Sequence, residues 1–268
     1  MTIKFCSFAS GSSGNCYLVK DDETAILIDA GISGKKIMQY LEETDTPPEQ
    51  VQALLVTHEH IDHVQSLPIL SKNLPNVLVY ANEPTWDCNE RPVPQNKRRT
   101  FTTGIDFSVG EFTVRSFHVS HDAAEPVGFS IIQENRQISI LTDSGYVSDE
   151  NLEEIAPADI LVLESNHEEE MLLMGKYPYN VKRRILGNEG HLSNVTCGKC
   201  LARICHLISK PRRVLLGHLS RDNNDPSIAM LAVNNTLMEN DVMPGGNLRI
   251  EIAQRKMRGD LLTLKGEK

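Results

Sequence analysis

The sequence predicts an α/β (α+β) fold: two β-rich halves forming two sheets packed face to face, with helices on the outside. Three observations carry this. Short β-rich runs alternate with helical ones along most of the chain, residues 105–142 hold β runs one after another, and most connections carry Gly, Pro, Asn or Asp. No fixed-period repeat, low-complexity tract or linker interrupts the 268 residues, so residues 1–268 read as a single domain.

The elements follow in order. Residues 3–8, 15–20 and 24–29 read as strands, with Ser10-Gly-Ser-Ser-Gly-Asn15 as the first turn. A helix is expected at 34–43, then a strand at 53–56 that runs straight into Thr57-His-Glu-His-Ile-Asp-His63. Residues 64–73 read as helix and 77–80 as strand. Phe107, Val109, Phe112, Val114 and Phe117, then 127–132, then 138–141, give consecutive antiparallel strands by their alternation. A helix at 149–155, a strand at 159–163, helical stretches at 167–186 and 194–209 and a strand at 214–216 come next. A helix at 226–239 and strands at 248–253 and 261–264 complete the reading.

Composition narrows the class. The chain is 40% hydrophobic and 24% charged, the balance of an ordinary globular protein and not of a disordered or collagenous one. Its longest apolar run, Ile228 to Val233, is far below the roughly 20 residues of a membrane span. The start, Met1-Thr-Ile-Lys-Phe-Cys-Ser-Phe, has no charged opening followed by an apolar stretch, so no secretory signal is expected. Six cysteines are too few for a disulfide scaffold at this length, which points to reduced thiols and a cytoplasmic setting. The net charge of −9 excludes a uniformly basic surface, yet an acidic body can carry a local basic groove.

Three histidines fall within six residues, His58, His60 and His63, with Asp62 between them. Chance would give such a string in roughly one chain per thousand. It follows an apolar strand, at the C-terminal end where open α/β sheets place their sites. His58 and His60 can point to one metal, while Asp62 and His63, turned by the start of the next helix, can point to another. Imidazole nitrogen with carboxylate oxygen, and no thiolate, suits Zn, Mn or Fe at catalytic positions.

This string, with Asp29 ahead of it in Leu27-Ile-Asp-Ala-Gly31, resembles the metallo-β-lactamase-fold hydrolases, which implies a four-layer αββα sandwich. The resemblance implies a further ligand histidine at the end of a mid-chain strand, and Phe117-His-Val-Ser-His121-Asp-Ala offers His118 and His121. His121, in the turn, is favoured; His118 would be a packing or supporting residue of the strand. A bridging aspartate is implied next, and Ile140-Leu-Thr-Asp143-Ser-Gly supplies it, although Asp143 could also be a turn or cap residue. His218 in Val214-Leu-Leu-Gly-His218 fits the last ligand. The implied centre holds two divalent ions, one on His58, His60 and His121 and one on Asp62, His63 and His218, bridged by Asp143. Asp29 supports the histidine loop.

Gly190-His191-Leu-Ser-Asn194 resembles an element of the phosphodiesterase branch, where the histidine protonates the leaving oxygen; the same residues could serve only as a helix N-cap. Together with Ser10–Asn15, His121-Asp-Ala, Glu164-Ser-Asn-His-Glu168 and Gly217-His-Leu-Ser-Arg-Asp-Asn-Asn224, the chain resembles the YycJ/WalJ group of metal-dependent nucleases along nearly its whole length. The resemblance implies a 5′-to-3′ DNA exonuclease in which a metal-bridging hydroxide attacks phosphorus, with Asp62, Glu164 and His191 as catalytic groups. Its nucleic-acid substrate would be DNA rather than RNA. The alternative is a hydrolase of the same fold acting on a small phosphodiester, thioester or lactone.

Other residues stay open at this level. Glu164 either pairs with His191 or caps the next helix, and His167 reads as a surface or capping residue. Ser12, Ser13 and Asn15 either meet a phosphate or only form a hairpin turn. The basic clusters at 97–99, 182–184 (with Arg183 and Arg184), 212–213 and 255–258 either line a phosphate track or are solvated faces. Cys197-Gly-Lys-Cys200 looks like half a zinc site, but Leu201, Ile204, Cys205 and Ile208 share its helical face, so core packing is the better account.

Overall fold

The computed structural model describes residues 2–265 and contains two seven-stranded mixed sheets flanked by helices. The first sheet comprises β1 (Thr2–Ala9), β2 (Cys16–Lys20), β3 (Ala25–Ile28), β4 (Val51–Leu55), β5 (Leu78–Ala81), β6 (Arg98–Thr100) and β14 (Leu262–Lys265). Their order is β14-β1-β2-β3-β4-β5-β6. The second comprises β7 (Phe107–Val109), β8 (Phe112–His118), β9 (Val127–Gln133), β10 (Arg136–Leu141), β11 (Ile160–Glu164), β12 (Arg212–Gly217) and β13 (Leu248–Ile252), in the order β13-β12-β11-β10-β9-β8-β7. The chain condenses into two compact units. One takes the stretches up to Phe117, Ala123–Arg136 and from Gln254 onward; the other takes His118–Asp122 and Gln137–Ala253.

In the first unit, β1 pairs antiparallel with β14 and β2, and β2 with β3, while β3 to β6 run parallel. Every residue of β2 and β3 is buried, as expected of strands covered on both faces. Helix α1 (Gly34–Glu43) buries Ile37, Tyr40 and Leu41, an i, i+3, i+4 stripe, into the cluster that holds Phe8, Leu18, Leu27 and Leu54. Each such side chain stabilises the fold by about 1.5–3 kcal/mol through the apolar surface it withdraws from water.

The helix expected at 64–73 is two helices, α2 (Ile61–Val64) and α3 (Leu67–Asn73). The break falls where the loop after β3 captures Ser66. Its N–H donates to Ala30 O at 2.9 Å and its hydroxyl to Ile32 O at 2.6 Å. Pro68 then starts the second helix from its first turn. Helix α4 (Glu83–Cys88), capped by Asn82, and the edge strand β6 carry no apolar periodicity and are found only in the structure. Strand β6 exists because its backbone pairs with β5, from Val79↔Arg98 to Ala81↔Thr100.

In the second unit β10, β11, β12 and β13 are all parallel. The helices are α5 (Asp149–Ile155), α6 (Glu169–Met174), α7 (Tyr179–Ile185), α8 (Asn194–Leu207) and α9 (Pro226–Glu239). The stretch 167–186 divides at Gly175 and Pro178, a helix-breaking pair. Ser193 caps α8, accepting from Thr196 N. Cys197, Cys200, Leu201 and Ile204 are buried, whereas Ile208 lies past the helix end and is exposed. Burial raises both thiols of the Cys197–Cys200 pair, that of Cys200 to about 11, so they remain protonated core residues. Among the described residues no helix is long and apolar enough to cross a membrane.

Strands β7 and β8 meet in a tight hairpin, Val109 opposite Phe112, and Gly110 at its turn has φ of +55°. A side chain there would need the left-handed conformation and would meet Thr24 Oγ1 at 2.2 Å. Gly110→Ala is therefore expected to cost about 1–3 kcal/mol, read as a lower urea midpoint with unchanged slope.

Candidate metal centre

In the first unit a histidine cluster stands on the loop after β4. Asp29, one residue past the end of β3, has φ of +60° and donates its N–H to Leu55 O at 2.8 Å. This turns its carboxylate under the histidine loop, fully buried. Oδ1 accepts from Thr57 N at 2.9 Å, and Oδ2 accepts from His63 Nδ1 at 2.7 Å. Thr57 Oγ1 touches both carboxylate oxygens, at 3.1 and 3.0 Å, and His58 Nδ1 at 3.0 Å. A threonine hydroxyl spent on Asp29 accepts from His58 Nδ1–H. Both imidazoles therefore carry the proton on Nδ1 and present Nε2 as a base, an assignment made from partners.

His60 stands at the residue before α2, whose single turn contains Asp62 and His63. The rings of His58 and His60 are 4.6 Å apart, and those of His58 and His63 4.1 Å. His63 Nε2 lies 3.8 Å from Asp62 Oδ2. Two glycines let the neighbouring loops close on this turn. A β-carbon on Gly31 would be 1.6 Å from Asp62 O, and one on Gly14 2.5 Å from Gly31 O.

Asn15, which the sequence leaves open between a phosphate contact and a turn residue, faces inward. It is buried, its Oδ1 accepting from Gly11 N at 2.8 Å and its Nδ2 donating to His63 Nε2 at 3.0 Å. It supports the histidine. Ser12 and Ser13 are exposed at the tip of the same loop.

The second unit delivers its residues from the C-terminal ends of three parallel strands. Asp143 follows β10, Glu164 ends β11 and His218 follows β12, with Asp143 and His218 at φ of +57° and +54°. Ligand atoms of Asp143, Glu164, His191 and His218 all lie within 4.8 Å of one another. Glu164 is the organiser. Its Oε1 accepts from His191 Nδ1 at 2.8 Å and His218 Nδ1 at 2.9 Å, and its Oε2 from Ser144 N at 2.8 Å. Burial alone would raise this carboxyl, but the two imidazoles and their hydrogen bonds bring it down to about 2. Glu164 thus pairs with His191, as one of its two readings held, and also with His218. Being fully buried, it positions the histidines instead of meeting a substrate itself.

His121 donates Nδ1–H to Gly190 O at 3.2 Å and lies 4.0 Å from Asp143 Oδ1 through Nε2. Burial lowers its pKa, an effect that Asp143 partly offsets, so the environment favours the neutral ring. His118 is exposed at the end of β8, its carbonyl accepting from Asn151, so it neither packs nor supports the cluster. Arg184 is tied to Asp122 through two hydrogen bonds, one of 2.8 Å, while Arg183 beside it is exposed.

His167 is also corrected: it is buried, and neither ring nitrogen has a hydrogen-bond partner among the described residues. Burial pushes its pKa down to about 4.

A network the motifs did not announce joins the loops around Glu164. Asn224 Nδ2 donates to Ser165 O, Asn166 O and Asn194 Oδ1, at 2.9, 3.0 and 2.9 Å. Asn166 Nδ2 donates to His218 O at 2.8 Å, and Ser165 Oγ to Asn194 Oδ1 at 2.6 Å. The only sequence signal for it is that these polar residues stand just beyond apolar strands.

The donors fit divalent cations: several neutral imidazoles oriented by their Nδ1–H groups, carboxylates between them, and no thiolate. The comparisons agree. The β-lactamase superfamily domain matches residues 24–219. The chain belongs to the metallo-β-lactamase superfamily. It is a metal-dependent hydrolase of that family. It is 38% identical over 260 residues to Exodeoxyribonuclease YycJ of Bacillus anthracis, covering 96% of this chain and 97% of that protein. Exodeoxyribonuclease WalJ of Streptococcus pneumoniae is 35% identical over 252 residues, 92% and 93% of the two chains. The crystal structure of the metallo-β-lactamase fold protein YhfI from Bacillus subtilis superposes with a TM-score of 0.73 at 14% identity, covering 97% of this chain and 99% of that one.

Asp29→Ala is expected to weaken divalent-metal binding about 10–100-fold in chelator competition, because His63 and Thr57 lose the group that orients them. His167 gives a pH signature. With a folded pKa of about 4 against about 6.5 unfolded, the unfolded chain binds more protons between those values. Stability is full above pH 6.5 and falls by up to about 3 kcal/mol as pH drops towards 4. His167→Gln should remove that part of the slope in urea titrations run from pH 4 to 7.

Proposed function

We propose that the chain is a 5′-to-3′ DNA exonuclease acting through two divalent cations, Zn, Mn or Fe, with both ligand sets serving one catalytic domain in the cytoplasm. Relatives named exodeoxyribonucleases match it from end to end, which supports the substrate class. The six cysteines include no disulfide, in keeping with a reducing compartment. In the family's ligand order His58, His60 and His121 would hold one ion and Asp62, His63 and His218 the other, with Asp143 as the carboxylate available to both. Bound there, divalent cations supply a nucleophile at neutral pH and offset charge on the phosphate oxygens.

The protein's own contribution to chemistry rests on one observation, the 2.8 Å hydrogen bond from His191 Nδ1 to fully buried Glu164. That bond fixes the tautomer and ring plane of His191 and leaves Nε2 to carry and release a proton. His191 is only partly buried, so Nε2 can reach a departing oxygen. Glu164 stabilises the charged imidazolium that exists before transfer, and Asp143, 3.8 Å from Nδ1, adds to that field. His191 is thus the general acid, and Glu164 its positioning residue.

His191→Ala is expected to lower turnover about 10²–10⁴-fold with metal content unchanged; metal loss would make it a ligand instead. With Mn²⁺-loaded protein and oligonucleotides labelled at either end, labelled mononucleotide should be released early from 5′-labelled DNA and not by His60→Ala. Cleavage of no strand, DNA or RNA, by metal-loaded wild type would redirect the assignment to a small phosphodiester, thioester or lactone.

A further inference from the structure

The histidine loop of the first unit continues into a run of cations. Asn15, which donates its N–H to Asp62 O at 2.8 Å and its amide to His63, ends the Ser10–Asn15 loop. At the other end of that loop Ser10 N donates to Gln254 O at 3.1 Å. The Arg255 side chain lies along Gly11, its Cγ and Nε 3.2 and 3.3 Å from where a β-carbon would stand, so only glycine leaves room for it. The next carbonyl, that of Lys256, accepts from Lys36 Nζ and from Tyr40 Oη, the latter at 3.3 Å. Lys36 Nζ is also 5.4 Å from the Tyr40 ring centre, and Lys35 beside it is exposed in the first turn of α1.

Arg255, Lys256 and Lys36 therefore form one ledge that adjoins the Ser10–Asn15 loop; Lys35, one residue back along the helix, faces away from it with Glu42 and Asp45. The acid in contact with this segment, Glu43, is taken by Arg258 at 2.7 Å. Glu42 and Asp260 are exposed neighbours in sequence. Seating one lysine's ammonium on another lysine's backbone, in a chain of net charge −9, gathers like charge against the overall balance. A polyanion that crosses the ledge relieves that repulsion and releases its own counterions.

We infer that this ledge binds the phosphodiester backbone of the nucleic-acid strand beyond the phosphate being cut. The inference rests on the nuclease reading and adds to it the path of the strand: from the histidine loop, past the exposed hydroxyls of Ser12 and Ser13, onto Arg255, Lys256 and Lys36. It is a contact with phosphates and carries no base preference.

The test is binding of a single-stranded, hydrolysis-resistant phosphorothioate DNA to the metal-loaded protein, followed by fluorescence anisotropy across a salt series. Lys36→Gln/Lys256→Gln should bind at least about fivefold more weakly, for any base sequence. It should flatten the slope of log K against log salt by about 1.4, since each lost phosphate contact on a single strand removes about 0.7. Lys256→Gln alone, at an exposed position, should remove about 0.7 and guards against misfolding of the double variant. An unchanged slope in both variants overturns the ledge. So does an equal loss in Lys97→Gln/Arg99→Gln, a basic cluster elsewhere, because the effect would then be general charge. Weak binding by Lys36→Arg/Lys256→Arg overturns it too, since charge is kept. If wild type binds the strand with the expected slopes but hydrolyses no phosphodiester, the nuclease reading fails and the ledge stands.

Discussion

In each unit the histidine cluster rests on one fully buried carboxylate. Asp29 and Glu164 stand at or just past the end of a strand, and each accepts backbone N–H groups on one side and imidazole Nδ1–H groups on the other. A buried carboxylate is costly unless its lone pairs are filled, so histidines and loop backbone must come to it. The same bonds that satisfy the acid fix which nitrogen of His63, His191 and His218 faces outward. Stability of the loops and orientation of the reactive nitrogens are therefore one requirement.

The backbone is shaped to meet it. Asp29, Asp143 and His218, from both units, all take the left-handed conformation directly after a strand, with φ of +60°, +57° and +54°. Such a residue costs about 1–3 kcal/mol, least for Asp, Asn and His, and persists only where the surroundings over-determine it. Here it reverses the chain at the strand's end and points the side chain across the edge of the sheet. Gly31 lets its loop approach the Asp62 backbone, and Gly14 lets its own approach Gly31, contacts that an alanine would block. In the second unit the amide network of Asn166, Asn194 and Asn224 holds three loops at once, so that Glu164 and its histidines are supported from several directions.

The superfamily chemistry asks for many neutral donors in a small space, and the low pKa of His121 and of Glu164 serve that from opposite sides. Burial keeps the imidazole uncharged, and paired hydrogen bonds keep the carboxylate charged. His167, buried without a partner among the described residues, is the exception, a polar ring spent near the site.

Much was determined by sequence alone, because it is local. Helices 34–43, 149–155 and 226–239 have the predicted bounds, and the central parallel strands β3, β4, β11 and β12 are largely apolar runs that the sequence pattern detects. The histidine string announces itself by residue type after an apolar strand, whereas Asp143, His191 and His218 are legible through the family resemblance and Glu164 stays open between two roles. Tertiary structure decided what depends on partners far along the chain. Ser66 breaks a helix because the loop after β3 captures it, and polar β6 is a strand only because β5 offers a ladder. Asn15 turns inward to His63, while His118 stays outside, although both stand in motif-like surroundings. His167 reads as a surface histidine and is buried, because burial is set by loops 25 and more residues away, at 192–194 and 217–223, with which its segment hydrogen-bonds. Local pattern sees a residue's neighbours in the chain; hydrogen-bond partners and burial are properties of neighbours in space.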